Sequence, residues 1–315
     1  MSLRALFRPL LALVASLSLL AAQPPATRQP CDATTYQTLL QRYDYDAAAP
    51  LRAEVVATRN EVGTQVDEIR FAGADGEQVP GYLFIPPGQG PHPVAVALHG
   101  LGGSKEDFVR LAPLLGMFGV DFAILALDAR YHGARKQPGV EMIGPDLGRS
   151  AEAFRQTVVD YRRALDYLQT RREIDSTRMG LAGFSLGAMM GTVLTAIEPR
   201  LKTAVLVVGG ADWITIATES PVAQPLRDAL PGFAWNQSGA IFDAVDPLHF
   251  APRLGTRPIL MLNARRDEVI PQHAAETLHA AATGQPLVIE WYDSGHLLPP
   301  ELAGIRILQW LQKNL

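Results

Sequence analysis

The run Gly183-Phe184-Ser185-Leu186-Gly187 limits what this chain can become more than any other stretch. Residues 179–182 before it read as a short buried strand, and residues 186–197 after it carry a helical pattern. A serine between the two sits on a sharp strand-to-helix turn, tight enough to require small residues two places before and two places after. A serine hydroxyl is a poor nucleophile unless it is held exposed beside a base, and this turn does the holding. The bare pattern also arises by chance as a glycine-rich turn with an incidental serine. The strand before it and the helix after it are what make it informative.

Around that turn, apolar runs alternate with helical patterns, as in an α/β domain whose sheet becomes parallel. Strands are expected at 66–71, 79–85, 94–98, 122–127, 179–182, 204–208, 259–262 and 287–291, eight in all. The first two form an antiparallel pair joined by the turn signal Asp75-Gly76. Helices are expected over 34–45, 151–168, 186–197 and 301–311, and Ser104 with Asp107 makes a weak capping box. Two stretches interrupt the alternation. Residues 131–149 hold the breakers Pro138-Gly139 and Gly144-Pro145, and residues 212–253 carry Pro221, Pro225, Pro231 and Pro247. Long connections in a compact domain are usually functional, and the second stretch is expected to be a small helical cap over the site.

A nucleophilic serine needs a base and an orienting acid, in the chain order serine, acid, histidine for this turn type. His296 follows the last expected strand in Ser294-Gly295-His296, and Asp267 follows the strand at 259–262, with Pro271 four residues on. All three then lie at the carboxyl ends of strands, where such sheets collect their reactive groups. Asp212 is the alternative acid. Asp243 and Asp246 read as turn or capping residues, and His273 and His279 as surface positions on a helix. His249 is either a packing residue or a substrate contact from the cap. A tetrahedral intermediate needs donors for its oxyanion. The expected pair is the backbone N–H of Leu186 and that of Leu101, in His99-Gly100-Leu101-Gly102-Gly103. His99 is read as a brace for that loop. Cap aromatics Trp213 and Trp235, with Phe233, are candidate walls for an apolar substrate group or simply core.

Other chemistries fit poorly. Ser104 precedes Lys105 where a phosphate-binding loop needs glycine, and Lys105 stands where a dinucleotide fingerprint needs its third glycine. The seven histidines are dispersed, so no metal and no cofactor is expected. A net charge of -4 with scattered basic residues argues against nucleic acid as a partner. Among 315 residues, 48% are hydrophobic and 19% charged, enough apolar material for one substantial domain and too much for a disordered chain.

The N-terminus has its own logic. Arg4 and Arg8 precede an apolar run over 10–20, followed by Ala21, Ala22, Pro24 and Pro25. That is the layout of a secretory signal, expected to occupy residues 1–25 and to be cut between Ala22 and Ala26. A spanning helix needs roughly 20 apolar residues, more than this run supplies, so no stable membrane insertion is expected after cleavage. An uncleaved anchor is the alternative. Residues 26–65 read as linker and helix, and 66–315 as the main domain with its cap at about 212–253. Cys31, the single cysteine, cannot form an internal disulfide and is read as incidental.

From residue 66 onward the chain resembles the α/β-hydrolase superfamily. The resemblance rests on the loop at 99–103, the Gly183–Gly187 turn, Asp267 with Pro271, and Gly295-His296. Asp128-Ala129-Arg130-Tyr131-His132-Gly133 is similar to the loop after the fourth strand of such enzymes, where Asp128 and His132 are expected to be structural. It implies an α/β-hydrolase fold with a mostly parallel eight-stranded sheet flanked by helices. Among its branches, the dienelactone-hydrolase-like and acetyl-xylan-esterase-like carboxylesterases are the nearest in form, although the true dienelactone hydrolases carry cysteine where Ser185 stands. The expected function is an exported serine hydrolase acting on a small-molecule ester. A small amidase or aminopeptidase of prolyl-oligopeptidase-like type is the alternative enzyme, and a non-catalytic binding protein on the same scaffold is the alternative class.

Overall fold

The computed structural model describes residues 28–117, 119–282 and 286–315. The expected export signal over residues 1–25 lies outside the described residues. Nine strands form one sheet among them: β1 (Glu54–Glu61), β2 (Thr64–Ala72), β3 (Gln78–Ile85), β4 (His92–Leu98), β5 (Ala123–Leu127), β6 (Ile174–Phe184), β7 (Leu201–Val207), β8 (Ile259–Ala264) and β9 (Leu287–Tyr292). Their order across the sheet is β1-β2-β3-β5-β4-β6-β7-β8-β9. The pairs β1–β2, β2–β3 and β3–β5 are antiparallel, and the remaining pairs are parallel.

The ninth strand is β1, which lies inside the stretch expected to be linker. It is a mostly exposed edge strand, so it has no buried face to print a period-2 pattern. Its hairpin turn to β2 is Val62-Gly63, with φ of 53° and 88°. A two-residue turn with both φ positive is ordinarily signalled by Asn-Gly or Asp-Gly, and valine hides it. The central strands behave as expected. β4 is buried along its whole length, as a parallel strand covered on both faces must be.

The helices, in chain order, are α1 (Ala33–Gln41), α2 (Ala112–Met117), α3 (Leu147–Gln169), α4 (Leu186–Ile197), α5 (Trp213–Glu219), α6 (Gln224–Ala229), α7 (Gly239–Phe242), α8 (Pro247–Phe250), α9 (Gln272–Ala281) and α10 (Pro300–Asn314). They leave two apolar cores. Phe154, Val158, Leu165, Val193, Leu194 and Leu278 pack in one, with α1, α3, α4 and α9. Ala112, Leu115, Ala303, Trp310 and Leu311 pack in the other, with α2 and α10. α3 starts four residues earlier than periodicity suggests, because the Asp146 carboxylate accepts from Arg149 N at 2.9 Å and caps it. The capping box at Ser104 forms in full.

Residues 212–253 fold into α5 to α8 and intervening 3₁₀ turns. A charged cluster fastens this insertion to the start of the described chain. The Arg28 guanidinium pairs with Asp212 at 3.1 Å, Asp246 at 3.0 Å, and Asp243. Asp246 is fully buried and accepts from the backbone N–H groups of Asp212, Trp213 and Leu248 at 2.9, 3.0 and 3.0 Å. Burial alone pushes its carboxyl upward, and Arg28 works against that. Asp243 and Asp246 are thus tie points as well as turn residues. Removing one partner of a buried pair leaves a charge uncompensated, so Arg28→Ala should cost about 3 kcal/mol. A urea midpoint unchanged from the parent protein would refute this.

Candidate active site

The turn at Ser185 is forced by its neighbours. β6 ends at Phe184 and α4 begins at Leu186, leaving Ser185 at φ 54° and ψ -117°. A non-glycine residue rarely holds a positive φ, and such strain costs on the order of 1–3 kcal/mol. The two glycines permit it. A Cβ on Gly183 would stand 2.3 Å from Gly187 O, and one on Gly187 would stand 2.2 Å from Leu98 O. The Ser185 N–H donates to Val207 O at 2.8 Å, pinning the turn to β7.

Three loops at the carboxyl ends of parallel strands bring the expected side chains together. Ser185 follows β6, Asp267 follows β8 and His296 follows β9. Ser185 Oγ lies 2.9 Å from His296 Nε2, and His296 Nδ1 lies 2.9 Å from each Asp267 oxygen. Asp267 is held in turn, because Oδ1 accepts from Val269 N at 2.8 Å and Ile270 N at 2.9 Å. A carboxylate can only accept, so it keeps the imidazole proton on Nδ1 and leaves Nε2 free to receive the serine hydroxyl.

The loop after β4 lies against the serine. A Cβ on Gly100 would meet Ser185 Cβ at 3.4 Å and Phe184 Cδ1 at 3.0 Å. Two histidines fix the loop by the same pattern. His99 Nδ1 donates to Gly100 O at 2.8 Å while its Nε2 accepts from Ala129 N at 3.1 Å. His132 Nδ1 donates to Arg130 O at 2.8 Å while its Nε2 accepts from Gly102 N at 3.1 Å. Burial lowers the His99 pKa, which favours the neutral ring these bonds require. Asp128, with its side chain fully buried, accepts from Lys105 N at 2.8 Å and Ala134 N at 2.9 Å. Leu186, as the first residue of α4, has an N–H with no acceptor inside the helix.

A cavity of about 280 Å³ is bordered by both Leu101 and Leu186. Trp213 lines it, with its indole Nε1 donating to Val245 O at 3.2 Å. Trp235 does not. It sits on a 3₁₀ turn and packs edge-on against Phe233, ring centroids 4.9 Å apart, away from the cavity. Part of the lining lies outside the expected cap, and Phe154 meets Trp213 edge-on with ring centroids 5.9 Å apart. Met142, Ile143 and Phe154 come from the first interruption and from α3. The legible hint was an apolar pair, Met142-Ile143, stranded in a loop between glycine and proline breakers. Among the described residues, no group of three or more histidine, cysteine, aspartate or glutamate side chains is arranged to hold a metal ion.

With this geometry in hand, comparison with known proteins is direct. The profile of the family described as alpha/beta hydrolase fold matches residues 93–245. An acetyl xylan esterase from Paenibacillus sp. R4 superposes with a TM-score of 0.74 at 19% identity, covering 92% of this chain and 97% of that one. Acetyl xylan esterase 1 from Thermoanaerobacterium sp. JW/SL YS485 gives 0.74 at 18% identity, covering 91% and 95%. The chain has the α/β-hydrolase fold. Among curated proteins, the rat mitochondrial acyl-coenzyme A thioesterase 2 is 24% identical over 69% of this chain and 48% of its own length. The putative hydrolase YtaP of Bacillus subtilis is 22% identical, over 66% and 71%. The chain spans about half the length of several curated relatives it matches.

The rival residues of this α/β hydrolase are engaged elsewhere. Asp212 bonds Arg28 and the Thr215 hydroxyl, and no bond joins it to His296. His249 Nδ1 accepts from Cys31 N at 3.0 Å, and its Nε2 lies 3.1 Å from Asp243, so it ties the N-terminal segment to the cap. It does not line the cavity. His273 is exposed beside Glu219. His279 departs from expectation: it is half-buried against Trp291, with ring centroids 5.6 Å apart. Burial pushes its pKa down to about 4. An unfolded histidine titrates near about 6.5, so between those values the unfolded chain binds more protons and stability falls as pH drops. His279→Gln should recover about 1 kcal/mol of the stability lost between pH 7 and 5, allowing for partial exposure. Equal losses in both proteins would refute that.

Proposed function

We propose that the protein is a serine hydrolase of carboxylic esters that works through an acyl-enzyme. The hydrogen-bonded series Ser185 Oγ, His296 Nε2 and Asp267 carries this reading, with 2.9 Å at each step. His296 takes the serine proton as the oxygen attacks the ester carbonyl, and Asp267 stabilises the imidazolium that forms. The N–H groups of Leu186 and Leu101 receive the oxyanion, and the proton returns from His296 to the leaving alcohol. Water then repeats the sequence and releases the acid. The esterase names of the two acetyl xylan esterases support the ester reading. The strain at Ser185 speaks against a binding role, since a module that only binds gains nothing from it.

A fluorophosphonate probe tests the proposal. Folded protein should carry one adduct on the peptide containing Ser185, and labelled protein should lose turnover of simple acyl esters. Absence of labelling on folded protein would favour a binding module, and turnover confined to aminoacyl amides would favour a peptidase. We also propose export, with cleavage between Ala22 and Ala26. Arg28 would then stay in the mature chain and keep its three carboxylate partners. Intact mass of protein from a secreting host should match that start, and a full-length protein in the membrane fraction would refute it.

A further inference from the structure

Two serines line the cavity beside Ser185, and they are in opposite conditions. Ser150 Oγ is committed, accepting from Gly144 N at 3.1 Å and donating to Asp146 O at 3.0 Å. Ser220 is fully buried, and among the described residues its Oγ has no hydrogen-bond partner. Local structure does not need that hydroxyl. Ser220 N donates to Ile216 O at 3.0 Å, closing the last turn of α5. The carbonyls of Ala217 and Ser220 both accept from Arg227 Nη1, at 2.8 and 2.9 Å. Buried polar groups are nearly always paired, and an unpaired hydroxyl destabilises where alanine would not. The rest of the nearby wall, including Ile216, Val222 and Leu226, is apolar and offers it nothing.

We propose that Ser220 is a specificity-determining residue, and that the cavity takes a mainly apolar arm of the ester carrying one hydrogen-bonding oxygen. An ether, keto or hydroxyl oxygen placed opposite Ser220 Oγ completes the bond that the protein leaves open. Ligand sites commonly pair an apolar lining with a few such polar groups, which fix orientation. A site that satisfies a buried hydroxyl only through its substrate discriminates against the plain hydrocarbon of the same length. Because Leu101 and Leu186 border the same space, the arm filling it begins at the reacting carbonyl, from either its acyl or its alcohol side.

This inference rests on the ester-hydrolase reading, and the experiment separates the two. Two series of esters would be assayed, one varying the acyl chain and one the alcohol. Each series pairs a hydrocarbon arm with an arm of equal length carrying one ether or keto oxygen. The parent protein should favour the oxygenated member of one series by about tenfold in kcat/KM, the worth of one good hydrogen bond. The series that responds identifies the arm. Ser220→Ala should bring the two members of that pair level, and should melt at or above the parent temperature. Calorimetric binding of the same esters to Ser185→Ala protein should keep the preference, independently of turnover. Binding preference without turnover would leave this inference standing and overturn the hydrolase reading. Equal treatment of both members in both series would overturn the inference, as expected if water alone meets the hydroxyl. A lowered melting temperature in Ser220→Ala would also overturn it, since the hydroxyl would then be structural.

Discussion

Ser185→Ala should lower kcat by a factor on the order of a million, with the folded state retained. The size of the loss follows from the geometry. Among the described residues, His296 Nε2 is hydrogen-bonded to Ser185 Oγ at 2.9 Å, so removing that hydroxyl removes the group placed to attack. The proposed oxyanion donors and the cavity remain after the substitution, so the variant should still bind ester. The fold should be nearly indifferent. Ser185 bonds β7 through its backbone N–H, which alanine keeps, and alanine at φ 54° bears the same strain as serine. The decisive measurement is burst-free turnover of a chromogenic ester alongside a melting curve. Activity above a few per cent of the parent, with contamination excluded, would remove Ser185 from the mechanism.

The parts of this site that were legible in the sequence are those where backbone geometry admits few residue types. Gly183 and Gly187 are such positions: each would put a Cβ within 2.3 Å of a backbone oxygen. His99 was legible as a brace, and Asp128 and His132 as structural only through the resemblance; in the structure all three accept from backbone N–H groups of neighbouring loops. Elements that depend on long-range partners were not legible. β1 is held by pairing to β2 and not by burial of its own side chains, so nothing in its pattern announces it. β6 runs from Ile174, five residues before its apolar core, because Ile174 pairs with His92 of β4, whereas β7 joins only from Met179.

The cavity illustrates the same limit. Trp213 and Trp235 are equivalent by sequence, both aromatic and both in the cap. What separates them is the charged cluster under α5, where Asp246 holds Trp213 N and Arg28 holds Asp246. Arg28 is 218 residues away in the chain, and no local pattern could reveal that tie. The lining by Met142 and Ile143 likewise depends on the 131–149 loop reaching the same cavity as the cap. Residue chemistry was readable one position at a time, while the partition of aromatic residues between substrate and core was decided by tertiary contacts.

Asp267→Asn should lower kcat roughly ten-thousandfold, whereas Asp212→Asn should leave kcat within a few-fold of the parent. The asparagine carbonyl can take over the two backbone donors, Val269 N and Ile270 N, which now bond Oδ1. Its NH₂ group is then turned toward His296 Nδ1. Two donors cannot face one another, so the imidazole proton moves to Nε2 and the ring can no longer accept from Ser185. The loop keeps its shape, the distances barely change, and the base is in the wrong tautomer. Asp212 has no part in this. It pairs with Arg28 and accepts from the Thr215 hydroxyl at 2.8 Å, so its neutral variant should weaken the tie between the N-terminal segment and the cap. The two variants therefore separate by readout, Asp267→Asn in turnover at nearly parental stability and Asp212→Asn in stability at nearly parental turnover. Should Asp212→Asn prove the more damaging to kcat, the acid would belong at the end of β7 and the 2.9 Å contact between Asp267 and His296 would have no catalytic meaning.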